Sequence, residues 1–146
     1  MKNSNSKVLG VIAVFAFALF AGSAANAGER KCSNAVLAGT YADQDTGTIV
    51  GLGPFAGVNV DTFDGKGHLT ISGFSSVNGS VSQGTLTGTY TVNADCTGTY
   101  TVEGAGFTTN AFFVIGQDGN ELQIIITDAG NVINCIAKKQ FSEHRD

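Results

Sequence analysis

Chemistry-bearing side chains are sparse in this sequence, and their spacing is most useful for what it excludes. The two histidines, His68 and His144, stand far apart, the first after an Asp64 turn and the second in a polar tail. Zinc sites draw three or four Cys, His or carboxylate ligands at recognisable spacing. No such set is legible, so no metal and no other cofactor is expected. Asp43, Asp45, Asp61 and Asp64 can gather at one end of a barrel, where hard carboxylate oxygens suit calcium. With no continuous EF-hand loop, they read as solvated turn carboxylates. Glu103 and Asp128 would act as acid or base only if burial raised their pKa values, and Glu103 falls on a threonine-rich face that points outward. No serine sits in a nucleophile elbow. Gly51-Leu52-Gly53 and Gly104-Ala105-Gly106 lack the strand-to-helix setting of a phosphate loop. Catalytic residues are therefore unassigned. Tyr41, Phe63, Tyr90 and Tyr100 are the candidate ligand-binding residues: core-facing rings that either fill an interior or line a cavity with phenolic handles.

These groups have to be positioned by a small exported domain. Lys2 and Lys7 precede an almost continuous apolar run, Val8 to Ala21, and Ala25-Asn26-Ala27 offers a cleavage point. That is the pattern of a secretory signal peptide over residues 1–27, and the run is short for a membrane anchor. The mature part, 28–146, is expected in the periplasm or outside the cell as a single domain. It carries six basic and twelve acidic residues, which argues against nucleic acid as a partner. All three cysteines lie in it and meet an oxidising compartment. Cys96 with Cys135 is the favoured pair, because each sits within or beside a strand pattern. Cys32 is then free, pairs in their place, or links two chains.

No helix announces itself in the mature part, where eighteen glycines are scattered between residues 28 and 130; each would cost a helix about 1 kcal/mol. Period-2 alternation is clearest in the middle. Leu86, Tyr90 and Val92 share one face, and Thr85, Thr87, Thr89 and Thr91 the other. Tyr100 and Val102 oppose Thr97, Thr99, Thr101 and Glu103 in the next segment, after a tight Asn93-Ala94-Asp95 connection. This predicts an antiparallel hairpin with one buried face. Further strands are expected at Val36–Ala42, Thr46–Leu52, Phe55–Phe63, His68–Phe74, Phe107–Ile115, Glu121–Thr127 and Val132–Phe141. Asp64-Gly65-Lys66-Gly67, Asn78-Gly79, Asp118-Gly119-Asn120 and Asp128-Ala129-Gly130-Asn131 supply turns. Asn78-Gly79-Ser80 also matches a glycosylation triplet, which the turn explains equally well. Eight or nine short strands joined as a meander predict an all-β fold, an antiparallel up-and-down barrel with a sandwich as the alternative. Ala111-Phe112-Phe113-Val114-Ile115 and Ile124-Ile125-Ile126 are apolar on both faces. A covered exterior follows, under either the N-terminal segment or a partner copy in a homodimer or larger homo-oligomer.

Phe63-Asp64-Gly65-Lys66-Gly67, the stretch Gly88-Thr89-Tyr90-Thr91-Val92-Asn93-Ala94-Asp95-Cys96-Thr97-Gly98-Thr99 and Thr127-Asp128 together resemble a group of small exported bacterial proteins, largely uncharacterised. The resemblance covers most of the mature chain and implies no activity. Leu37-Ala38-Gly39-Thr40-Tyr41 and Leu86-Thr87-Gly88-Thr89-Tyr90 look like strand starts of avidin-type and other calycin-like barrels, which bind small hydrophobic or heterocyclic ligands in the lumen. The chain has no tryptophan, so biotin is not implied. In fold type it is also similar to allene-oxide-cyclase-like barrels, whose relatives include cyclising enzymes.

The expected function is a secreted, non-enzymatic barrel binding a small apolar ligand or a protein surface. An isomerase or cyclase working in the lumen through a tyrosine or carboxylate is the alternative, and an envelope-associated structural protein with a filled core is the third. A luminal cavity of about 300 Å3 or more supports the first two, a buried carboxylate beside a tyrosine favours the enzyme, and a solid core favours the third.

Overall fold

Side chains that alternate inward and outward, interrupted by glycine-bearing reversals, build eight antiparallel strands. The computed structural model describes residues 31–104 and 106–141; the expected leader, 1–27, and His144 lie outside them. The strands are β1 (Gly39–Ile49), β2 (Gly53–Phe63), β3 (His68–Val77), β4 (Ser80–Val92), β5 (Thr97–Gly104), β6 (Phe107–Gly116), β7 (Glu121–Ile126) and β8 (Asn131–Lys139). Each pairs with the next, and β8 pairs back onto β1 from Tyr41↔Lys139 to Ile49↔Asn131, closing a barrel. Closure gives every strand a partner on both sides and sets aside the sandwich.

The first two expected strands need correction. Val36–Ala42 begins in a 3-10 turn, Asn34–Leu37, and the expected Thr46–Leu52 strand is the end of the same long strand as Tyr41 only as far as Ile49, with 50–52 in the turn that follows. The intervening Asp43-Gln44-Asp45 looked like a turn, yet its carboxylates keep the alternation, so β1 runs through without a break. At the β3–β4 reversal Asn78 and Gly79 take φ values of 49° and 87°, the left-handed pair that a two-residue hairpin prefers. Gly88 permits close approach of a different kind. A Cβ there would collide with the Thr101 carbonyl and the Val102 Cα of β5, so only glycine lets the two strands approach this closely.

One end of the barrel is plugged. Leu37, fully buried, sits over an edge-to-face run in which Phe63 lies 5.3 Å from Tyr41 and 5.0 Å from Tyr90. The phenols hold the plug from inside: Tyr41 donates to the Gly119 carbonyl at 2.6 Å, and Tyr90 donates to the Asn34 carbonyl at 3.1 Å. Asn34 in turn accepts the Val92 N–H through its side chain at 2.8 Å. At the opposite end β4 runs past its pairing with β5, which stops at Thr87, and its inward-phase positions Ser82 and Gly84 are exposed. Ile49, Phe55, Leu86 and Ile126 pack there, partly buried, against the core.

The plug also explains the cysteines, and corrects the expected pairing. Cys32 precedes the 3-10 turn, donates its backbone N–H to the Ala94 carbonyl at 3.3 Å, and forms the disulfide with Cys96, whose Cα lies 5.0 Å away. Cys96 occupies the β4–β5 turn at the plugged rim, whereas Cys135 points into the barrel from the middle of β8, buried and unpaired. Membership of neighbouring strand patterns did not put Cys96 and Cys135 in reach of each other; the N-terminal segment crossing the rim was the missing information.

The expected threonine face is exposed on β4 and β5, and Glu103 is on it. Phe112, Val114, Ile125 and Ile136 point outward at 39–52% exposure, so nothing among the described residues covers that wall.

Candidate functional site

Counting inward from the plug along β1, the alternation that buries Tyr41 also buries Asp43 and Asp45, and on β2 the alternation that buries Phe63 buries Asp61. Three aspartates therefore enter the lumen. Register places Asp43 opposite Asn59 on β2 and Ala137 on β8, and Asp45 opposite Gly57 and Cys135. Gly57 leaves the room: a Cβ there would stand 2.5 Å from Asp45 Oδ2. Asn59 Nδ2 donates to Asp45 Oδ2 at 2.6 Å. One ligand atom each from Asp43, Asp45 and Cys135 lies within 4.8 Å of the others.

The electrostatics of this cluster are one-sided. Among the described residues no Lys, Arg or His pairs with any of the three carboxylates; Lys138 meets Glu121, and Lys139 sits 5.5 Å over the Tyr41 ring. Asp43 Oδ1 and Asp61 Oδ1 are buried and accept no hydrogen bond. Burial pushes the Asp43 carboxyl far above its ordinary range, the charges of Asp61 and then Asp45 push further, and Asn59 pulls weakly the other way. Asp61 is raised by burial and then by Asp45. Both shifts follow from taking like charges out of water without a counter-charge. Tyr100 reaches the cluster from β5, the strand across the ring from β1. Its phenol is raised by burial first and then by the charges of Cys135, Asp61, Asp43 and Asp45.

Cys135 is held as a neutral thiol by burial and by the neighbouring Asp45 charge. Because the thiolate is the reactive form, a disulfide reagent added to the folded, oxidised protein near pH 8 should leave Cys135 unmodified. One thiol per chain should react once denaturant is added. Stoichiometric labelling without denaturant would contradict this placement.

The residues singled out from the sequence separate into two groups. Tyr41, Phe63 and Tyr90 form the plugged layer, and two of their polar handles are already engaged by the chain itself. Tyr100 alone faces the acidic cluster. Of the four aspartates expected to be solvated at a barrel end, Asp43, Asp45 and Asp61 are instead buried in its interior. Their shared phase with Tyr41 and Phe63 was the signal that placed them there. Asp64 stays in the Phe-Asp-Gly-Lys-Gly turn, where one oxygen accepts the backbone N–H groups of Lys66, Gly67 and His68 at 2.7–2.9 Å. The same carboxylate contacts exposed His68 at 2.8 Å, and these bonds, led by the His68 N–H, hold its pKa below the usual range. That motif is a built turn. Asp128 likewise accepts from the Asn110 backbone and side chain at 2.7 and 2.8 Å. Cys135, assigned to a disulfide in sequence reasoning, is the member of the cluster that reasoning missed.

A groove of about 220 Å3 runs along the outer wall, lined mainly by Gln44, Thr46, Ala56, Val58, Phe74 and Val81. It is smaller than the roughly 300–1,000 Å3 of most small-molecule sites, and apart from Asp45 its lining side chains are neutral. The luminal carboxylates are the stronger candidate. Comparison with protein-family models, with curated proteins and with solved structures gave no match.

Proposed function

We propose that the barrel is an acid–base enzyme of isomerase or cyclase type, with Asp43, Asp45 and Asp61 as its proton-handling groups and Tyr100 as a hydrogen-bond donor. The observation that carries this reading is the pair of buried, unpartnered carboxylate oxygens on Asp43 and Asp61 beside a tyrosine, with no Lys, Arg or His among the described residues paired to them. Crowded carboxyls do not all ionise together. Near neutral pH such a cluster holds a protonated and an ionised carboxyl side by side, which is the pairing a proton shift requires. An ionised carboxylate removes a proton from one carbon of the substrate, a protonated neighbour delivers one to another atom, and a return transfer between them resets the site. The Tyr100 phenol, kept neutral by its surroundings, donates to oxygen charge that develops between the two steps.

Maintaining three unpaired acids in a core is costly, and a structural barrel with a filled interior has no use for them. The calycin-like or allene-oxide-cyclase-like kinship, export to an oxidising compartment and assembly with a second copy belong to the same proposal. The Cys32–Cys96 disulfide supports export, and the outward Phe112, Val114, Ile125 and Ile136 support assembly.

The test is exchange of carbon-bound hydrogen with solvent. The mature protein is incubated in deuterated buffer with a panel of small enolisable ketones and aldehydes, and deuterium incorporation is read by mass spectrometry. Enzyme-dependent incorporation into at least one compound is expected, falling about 100-fold or more in Asp61→Asn, in line with the loss of a general acid or base. Incorporation at the buffer rate throughout, or equal rates in Asp61→Asn, would refute the reading.

A further inference from the structure

We infer that Asp43, Asp45 and Cys135 form a binding site for one divalent transition-metal ion of the zinc class. Three observations carry it, and none depends on the lumen turning a substrate over. The candidate ligand atoms, two carboxylate oxygens and a sulfur, lie within 4.8 Å of one another. Around tetrahedral zinc the ligand atoms stand roughly 3.4–3.6 Å apart, from Zn–O and Zn–S bond lengths, so small side-chain rotations close the set. Asp43, itself one of the three ligands and 5% exposed, carries a buried oxygen with no hydrogen-bond partner, and so does the neighbouring Asp61, 1% exposed. A cation is the partner both lack. Finally, Asn59 already fixes one oxygen of Asp45, the kind of outer contact that orients a metal-bound carboxylate.

The donor set chooses the ion. Calcium and magnesium take oxygen ligands and gain nothing from sulfur, whereas a thiolate beside carboxylates suits zinc and its neighbours. Binding deprotonates the Cys135 thiol and any protonated carboxyl among the ligands, releasing those protons to solvent. The ion is held by two carboxylates and one thiolate, and Asp61 or water takes the remaining position.

The experiment uses the mature protein with its disulfide intact, first stripped with a chelator. Zinc is titrated by calorimetry, and cobalt(II) by absorbance. One zinc per chain is expected, with a rise in melting temperature that the chelator reverses and that calcium does not reproduce. Cobalt should give visible bands of tetrahedral strength and a near-ultraviolet sulfur-to-cobalt charge-transfer band. Cys135→Ser should abolish the charge-transfer band, and Asp43→Asn should weaken zinc at least tenfold. Should either variant fail to fold, the wild-type cobalt spectrum decides alone. The inference is overturned by absence of stoichiometric zinc binding, or by a cobalt spectrum without the sulfur band. Since the readout is occupancy, it can fail while deuterium exchange succeeds, or succeed while exchange fails.

Discussion

Metal-free protein should lose stability steadily as pH rises from about 4 through neutral, and Asp61→Asn should remove a large part of that loss. Asp43 and Asp61 have folded-state pKa values raised above the ordinary 3.8. Below that value both folded and unfolded chains hold the protons, and burial of the neutral acids carries no charge penalty. Above it the unfolded chain releases protons that the barrel retains, so the folded state binds more protons and stability falls with pH. The fall continues until pH passes the raised folded values and both groups ionise in place. Each differentially bound proton contributes a slope of up to about 1.4 kcal/mol per pH unit, so the total reaches several kcal/mol. Asp64 and Asp95, lowered by hydrogen bonds, work in the opposite sense and only at the acid end, where their protonation removes stability. An optimum on the acid side of neutral follows. Asp61→Asn takes one charge from the core and keeps its shape. By analogy with buried ionic groups replaced by neutral ones, it should stabilise the chelated protein near pH 8 by about 1–4 kcal/mol. Denaturant melts at a series of pH values check both statements. A flat profile, or an Asp61→Asn protein weaker than wild type near pH 8, would contradict them.

Breaking the Cys32–Cys96 bond is the second large effect. It joins residues separated by 64 positions, and the chain-entropy relation assigns a loop of that length about 4 kcal/mol. Its loss also frees the segment carrying Asn34 and Leu37, which closes the barrel end through the Tyr90 and Val92 contacts. Cys32→Ala should therefore destabilise by about 4 kcal/mol in denaturant melts. Reducing agent should bring wild type to the same level without further effect on the variant. Cys135→Ala, by contrast, should leave the response to reductant intact. If Cys135→Ala abolished that response and Cys32→Ala did not, the pairing described here would be wrong.

The barrel was largely legible because strand periodicity is local. Leu86, Tyr90, Tyr100 and Val102 against a row of threonines identify a half-buried hairpin from a dozen residues, and Asn78-Gly79 states its own turn type. The candidate site was only half legible. The sequence marks Tyr41 and Phe63 as core-facing, and carrying their phase two and four residues along β1, and two along β2, leads directly to Asp43, Asp45 and Asp61. What hid them was a reasonable rule, that aspartates beside glycines and threonines lie in solvated turns. Cys135 was not legible at all as a neighbour of Asp45. That contact depends on β8 closing onto β1 in a particular register, a pairing between segments some ninety residues apart. The disulfide was hidden for a related reason: a 3-10 turn, which has no periodic signature, delivers Cys32 to the rim.

The carboxyl groups can be watched individually. With 13C-labelled aspartate in the stripped, oxidised protein, the side-chain carboxyl resonances of Asp43 and Asp61, assigned through their Asn variants, should still report protonated acid at about pH 6, two units above an ordinary aspartate. Turn residues such as Asp64 should be fully ionised there. Resonances showing every aspartate ionised by about pH 5 would mean that the lumen holds no crowded, unpaired acids.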